Sequence, residues 1–207
     1  MDKSPSSWDQ YYDFELNWFV HARNVLNHLP FMRAIWRLRP RSLLEIGSGT
    51  GSMSIFLSYL FPHVVSLDRD SDIVRRCQSS NRRLKGRATF QTGDGFNLDQ
   101  YSVATFDVVF SQGLLEHFSD RDIARLLREQ ARVARHIVFS VPNDRYPGPD
   151  YGDERLLSKE SWDALVRRSG LHLVESRQYA KFLRRRKLMY LAVATASESG
   201  ASAGSHD

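Results

Sequence analysis

Along this chain, short and almost wholly apolar runs alternate with segments whose apolar residues recur three and four positions apart. That is the rhythm of buried strands separated by amphipathic helices. The apolar runs fall at residues 43–46, 63–68, 88–92, 106–111 and 136–141. Between them, residues 52–61 read as a helix stopped by Pro62, and residues 71–85 as a helix with Ser71 as its N-cap. Ser119 opens a third helix carrying Ile123, Leu126 and Leu127. Residues 158–168 read as a fourth, with Trp162, Leu165 and Val166 on one face and Gly170 as its stop. Strands separated by helices predict a parallel sheet with helices packed on both faces. After Gly170 the rhythm changes. Residues 171–179 and 187–195 are two strand-like runs joined by a short basic link, which predicts an antiparallel pair.

Ahead of the first strand, Trp8, Tyr11, Tyr12, Leu16 and Phe19 recur at helical spacing. Phe31, Ala34, Ile35 and Leu38 suggest a second helical piece that ends before Pro40. Residues 1–40 therefore read as a helical cap on the same domain, packed on the sheet or covering a ligand. Most of the aromatic stripe, with Trp18 added, is expected to pack on the sheet, leaving Tyr11 or Tyr12 as pocket residues. The small, polar residues 196–207 read as a disordered tail. That leaves one α/β domain over residues 41–195.

Composition narrows the picture. The 207 residues suit a single domain with a proper core, and 42% of them are hydrophobic. No apolar run approaches the ~20 residues of a membrane span, and the polar start lacks a signal-peptide core, so a cytoplasmic protein is expected. The single cysteine, Cys77, shares helical spacing with Ile73 and Val74 and reads as a buried structural thiol. The net charge of +5 permits an anionic partner without requiring one.

The most informative chemistry follows the first strand. Glu45 precedes a loop with glycines at Gly47, Gly49 and Gly51, and a helix begins at once. Such a turn lets backbone approach a ligand and presents amides at a helix N-terminus. The dinucleotide fingerprint G-x-G-x-x-G requires glycine where this chain has Ser52, which argues against a nicotinamide oxidoreductase. The E-x-G-x-G-x-G form resembles motif I of the class I S-adenosylmethionine-dependent methyltransferases, and with Phe106 to Phe118 it is similar to the small-molecule, type 11-like group that includes quinone-biosynthesis methyltransferases.

The resemblance covers residues 42–143 with specific motifs and reaches residue 195 by element order. It implies a Rossmann-like, doubly wound and mostly parallel seven-stranded sheet with one antiparallel strand near the C-terminus. It also implies a cofactor, S-adenosylmethionine, with S-adenosylhomocysteine as product. Carried over residue by residue, Glu45, Gly47, Ser48, Gly49, Thr50 and Gly51 hold the methionine part. Asp68 at the end of strand two accepts from the ribose hydroxyls, beside Arg69. Asp94, flanked by Gly93 and Gly95, meets the adenine amino group, and Gln112 meets the methionine ammonium. Each acid taken singly is also an ordinary turn or cap residue; their recurrence at four successive strand ends carries the reading.

The sulfonium is an activated methyl donor, so alignment matters more than dedicated machinery. His117, just past strand four, is the candidate base, its alternative being a structural role at the turn. Glu116 reads as solvated or loop-bonding. Some relatives bind a divalent metal through E-x-x-E-H here. Gly113 stands at the first glutamate position, so no metal is expected. The absence of D-P-P-Y or N-P-P-Y disfavours methylation of DNA bases. The loop over residues 143–154 reads as substrate-facing. Residues 181–187 read as an exposed, solvated basic edge, with contact to nucleic acid or another polyanion as the alternative. The expected function is methyl transfer to oxygen or nitrogen of a small molecule. The rivals are an RNA or protein methyltransferase and a noncatalytic S-adenosylmethionine-binding interaction protein.

Overall fold

In the computed structural model, which describes residues 16–148, 153–182 and 186–197, the strands are β1 (Ser42–Ile46), β2 (His63–Asp68), β3 (Thr89–Thr92), β4 (Phe106–Gln112), β5 (Ala134–Pro142), β6 (Leu171–Tyr179) and β7 (Met189–Ala196). They form one sheet in the order β3-β2-β1-β4-β5-β7-β6. From β3 across to β5 every pairing is parallel, whereas β7 lies antiparallel to both β5 and β6. This is the mostly parallel, doubly wound sheet that the alternation predicts, with β7 as its antiparallel strand.

The helices are α1 (Trp18–Asn27), α2 (Leu29–Arg37), α3 (Ser52–Leu60), α4 (Ser71–Arg83), α5 (Asp120–Val133) and α6 (Lys159–Arg168). Strand alternation divides the core into two layers. On one side Leu43, Val64, Val108, Phe110, Val138 and Leu191 meet Phe31 and Ile35 of α2, Ile55 of α3 and Ile73 and Cys77 of α4. On the other, Ile137, Phe139, Val141 and Tyr190 lie under Ile123 and Leu127 of α5 and Trp162 and Val166 of α6. Trp162 stacks on Tyr190 and meets Phe139 edge-on, so three aromatic rings anchor α6 to the centre of the sheet.

Helix starts follow side-chain chemistry. Ser119 and Ser158 accept from the amides of Asp122 and Ser161, as N-caps do. At α4 the cap is Asp70 rather than Ser71. Its carboxylate accepts from the amides of Asp72 and Ile73, and Ser71 is already helical. The same helix ends at Arg83, not Lys85, because Lys85 has turned to φ +56. At the N-terminal side, Trp18 and Phe19 are 57% and 77% exposed, a correction to the expectation that they pack on the sheet. The face that α1 buries carries His21 and Val25 instead. Trp8, Tyr11, Tyr12, residues 183–185 of the basic link and the tail beyond residue 197 lie outside the described residues.

The strand order reverses between β1 and β4: β1 leads outward to β2 and β3, β4 to β5. In such sheets the crevice past the carboxyl ends of those two central strands is where ligands bind.

Candidate active site

β1 delivers Glu45 and then the glycine loop. Gly47, Gly49 and Gly51 all take positive φ, at +82°, +49° and +74°. At Gly51 the requirement is double, because a Cβ there would lie 3.1 Å from both Cys77 Sγ and Phe90 Cζ. The loop is pinned by Gly47 N donating to Leu67 O and Gly51 N donating to Ser48 O. Beneath it Glu45 is buried, its Oε2 accepting from Ser54 Oγ at 2.6 Å and Ser66 Oγ at 2.8 Å, while Ser48 Oγ meets Ser66 Oγ. Burial pushes the Glu45 carboxyl up to about 8, with the two serine hydroxyls opposing the shift. Burial likewise pushes the Cys77 thiol up, so it is inert and structural.

At the end of β2, Asp68 accepts from the amides of Ser48 at 2.9 Å and Asp70 at 3.0 Å. The carboxylate therefore fastens the glycine loop to β2. With about four lone-pair sites it keeps capacity for further donors. Burial raises its pKa and these amides oppose the rise. Asp68, exposed Arg69, Asp94, Gly95 and Gln112 line a cavity of about 180 Å³ whose walls include Ile46, Leu67 and Phe96. Asp94 Oδ1 accepts from Phe96 N, which turns the chain there. A Cβ on Gly95 would stand 2.5 Å from Ile46 Cγ2, so this turn presses directly on β1.

A second cavity of about 260 Å³ opens on the other side of the glycine loop, lined by Glu45, Ser48 and Thr50. Gly47, Gly49, Gln112, Gly113 and His117 border both cavities. All the residues expected at the cofactor thus face one or both cavities, apart from Gly51, which supports the loop from behind.

His117 ends a single 3₁₀ turn, Leu115–His117, and its Nδ1 lies 2.5 Å from Asp153 Oδ1. Glu116 contradicts its reading as a solvated or loop-bonding group. Its residue is 2% exposed, and its buried Oε2 has no hydrogen-bond partner. Burial pushes this carboxyl up to about 8; the carboxylates of Glu154 and Asp153 add to the rise, and the Lys181 ammonium opposes it. Lys181 also departs from expectation. Instead of joining a solvated edge, it lines the larger cavity, its Nζ donating to Tyr146 Oη at 3.0 Å and lying 4.9 Å from the ring centroid. Phe182, Arg186 and Lys187 are exposed.

The sequence reading missed Asn24 and His28, which reach the larger cavity from α1 and its end. His28 Nδ1 pairs with Tyr179 Oη at 2.8 Å, and that hydroxyl meets Ser140 Oγ at 2.7 Å. Burial, helped by Lys181, pushes the His28 imidazole down to about 3, so it is neutral. A signal existed: His21, Asn24 and His28 recur at helical spacing, a polar stripe on the side of α1 that faces inward. Tyr146, Asp153 and Glu154 come from the loop singled out as substrate-facing, and all three line the cavities.

Residues 43–136 match the family model described as a methyltransferase domain. Among curated proteins, phosphoethanolamine N-methyltransferase of Triticum aestivum is 28% identical over 103 residues, which is 48% of this chain and 20% of that protein. The chain spans about a fifth of the length of that relative. Among solved structures, magnesium protoporphyrin IX methyltransferase from Synechocystis PCC 6803 with bound S-adenosylhomocysteine superposes with a TM-score of 0.66 at 16% identity, covering 92% of this chain and 93% of that one. A Pyrococcus horikoshii OT3 protein superposes with a TM-score of 0.71 at 17% identity, covering 87% and 93%. At these identities the structural matches establish a shared fold.

Proposed function

We propose that this chain is a class I S-adenosylmethionine-dependent methyltransferase that transfers a methyl group from S-adenosylmethionine to oxygen or nitrogen of a small molecule, a reading supported by the methyltransferase-domain match over residues 43–136 and by the shared fold. The observation that carries the proposal is the pair of cavities that meet at Gly47, Gly49, Gln112, Gly113 and His117. One cavity offers what an adenosine needs: the Asp68 carboxylate for ribose hydroxyls, Asp94 for an amino group, and apolar walls from Ile46 and Leu67 for a flat base. The glycine loop and Gln112 then hold the amino-acid end.

When bound, the cofactor supplies an activated methyl on a cationic sulfur. The chain's contribution is to align the acceptor against it and keep water out. His117 borders both cavities, and its Nδ1 is committed to Asp153. In this reading the ring's other nitrogen takes the proton that the acceptor gives up. The larger cavity has the size of a small molecule, and Lys181 turns into it rather than out to a polyanion. Both features favour a small acceptor over RNA or protein.

Calorimetric titration with S-adenosylhomocysteine tests the cofactor site, and failure of the folded protein to bind it would overturn the reading. A methyl-transfer assay that separates small products from RNase-sensitive and protease-sensitive ones then tests the acceptor class. Binding without product in any fraction would favour a noncatalytic role.

A further inference from the structure

Resting on that reading, we propose that the acceptor is an amine that enters as its ammonium ion, and that the buried carboxyl of Glu116 is the group that receives it. Three observations carry this. Glu116 lines the larger cavity, is almost wholly enclosed, and has an oxygen without any hydrogen-bond partner. Buried carboxyl oxygens are rarely left unmet, because an unmet oxygen forfeits its hydration without return. A ligand that donates from the cavity supplies the missing bond once a small rotation of the side chain brings that enclosed oxygen to the cavity wall.

The charge around the carboxyl selects the kind of donor. The titratable groups that act on it or share its cavity are His117 on the same turn, Glu45 on β1, Tyr146, Asp153 and Glu154 on the loop after β5, Lys181 after β6, and His28 at the end of α1. His28 is neutral. Two carboxylates, Glu154 and Asp153, act on Glu116 against one ammonium, Lys181, so the charges around it are anionic on balance. An anionic acceptor would meet that field unfavourably, and a neutral hydroxyl would gain little from it. An ammonium gains from both the field and the unmet oxygen, through a charge-assisted hydrogen bond. Docking it also changes the protonation of Glu116. The carboxyl, held neutral by burial around neutral pH, gives up its proton to solvent as the ammonium pairs with the resulting carboxylate.

Sinefungin tests this without knowledge of the natural acceptor, because a carbon replaces the cofactor's sulfur and bears an amine in place of the transferable methyl. Its ammonium therefore takes the methyl's place and points toward the position from which an acceptor nitrogen must attack. Calorimetry on the full chain compares sinefungin with S-adenosylhomocysteine, for the wild type and for Glu116→Gln, in buffers of different ionisation enthalpy. The expected result is a wild-type preference for sinefungin that falls roughly tenfold or more in Glu116→Gln, while S-adenosylhomocysteine binds both proteins alike. Wild-type sinefungin binding should also release part of a proton near neutral pH that S-adenosylhomocysteine binding does not. Equal preference in both proteins overturns the assignment of Glu116 and leaves the cofactor site standing. No binding of either ligand by folded wild type overturns the cofactor reading and this one with it. Should Glu116→Gln fail to fold, the wild-type measurement decides: absence of the extra proton release sinks the proposal.

Discussion

Nδ1 of His117 lies 2.5 Å from Oδ1 of Asp153, tying the turn after β4 to the loop after β5 where His117 borders both cavities and Asp153 the smaller one. A carboxylate on one ring nitrogen fixes the tautomer and turns the other nitrogen in a defined direction. In the proposed enzyme, His117→Ala should therefore lower turnover by roughly 10²- to 10⁴-fold, the usual range for a lost general base. Asp153→Ala should lower it by less, because half of that side chain faces solvent. Both variants should bind S-adenosylhomocysteine nearly as the wild type does. Single-turnover formation of S-adenosylhomocysteine with an acceptor from the screen provides the measurement, and full turnover by His117→Ala would confine His117 to a structural role.

Asp68 joins two tasks in one carboxylate. Its oxygens hold the amides of Ser48 and Asp70, and its spare lone pairs face the smaller cavity. Asp68→Ala should weaken S-adenosylhomocysteine binding about tenfold or more, since hydrogen bonds to a charged group contribute ~1.5–3 kcal/mol. It should also lower the melting temperature of the ligand-free protein, because the glycine loop loses its anchor. Asp68→Asn, which keeps an acceptor oxygen, should recover most of the stability and less of the affinity. Calorimetry and thermal melts on the same samples separate the two effects; unchanged affinity in Asp68→Ala would remove Asp68 from the ribose site.

The proposed cofactor side of this molecule was legible as a cluster because each of its polar groups directly follows an apolar run. Once residues 43–46, 63–68 and 106–111 read as parallel strands, Glu45, Asp68 and Gln112 must emerge at the same edge of the sheet. The proposed acceptor side offered no such rule. His28 and Tyr179 meet at 2.8 Å from opposite ends of the chain, and Lys181 reaches Tyr146 from a basic run that resembles a solvated turn. Glu116 was misread because a three-residue 3₁₀ turn has no periodicity to reveal that Leu115 and Glu116 are both buried. Trp18 and Phe19 misled in the opposite sense. Aromatic residues at helical spacing suggest a packed face, yet α1 turns its polar His21 inward to meet Ser52 Oγ at 2.9 Å.

Gly51 and Gly170 separate two reasons for keeping a glycine. Both have positive φ, at +74° and +83°, but a Cβ at Gly170 meets nothing within 4 Å. Gly170→Ala should therefore cost only the left-handed backbone penalty of ~1–2 kcal/mol. Gly51→Ala should cost about 1–3 kcal/mol more, because Cys77 and Phe90 must give way in a packed layer. Urea denaturation of the two variants checks the difference. Equal costs would mean that the glycine loop relaxes freely around a methyl group, and the loop would then be a poor fixed cradle for a ligand.

Glu45 makes stability depend on pH in a direction opposite to that of an ordinary salt-bridged carboxylate. Burial raises its folded pKa from 4.5 to about 8, with the Asp68 carboxylate adding to the rise and Ser54 and Ser66 opposing it. Across that window the folded chain holds a proton that the unfolded chain has released. Stability is then greatest below the unfolded value and falls as pH rises through the folded one. Glu116 is shifted the same way, so the two carboxyls act together. The wild type should melt at a lower temperature at about pH 8 than at about pH 6. Glu45→Gln, which keeps an oxygen for Ser54 and Ser66 but cannot ionise, should lose part of that decline. Adding Glu116→Gln should remove most of the remainder. Melting curves across this range provide the measurement, and a wild-type melting temperature that rises with pH while both variants track it would show that neither carboxyl is held neutral in the folded protein.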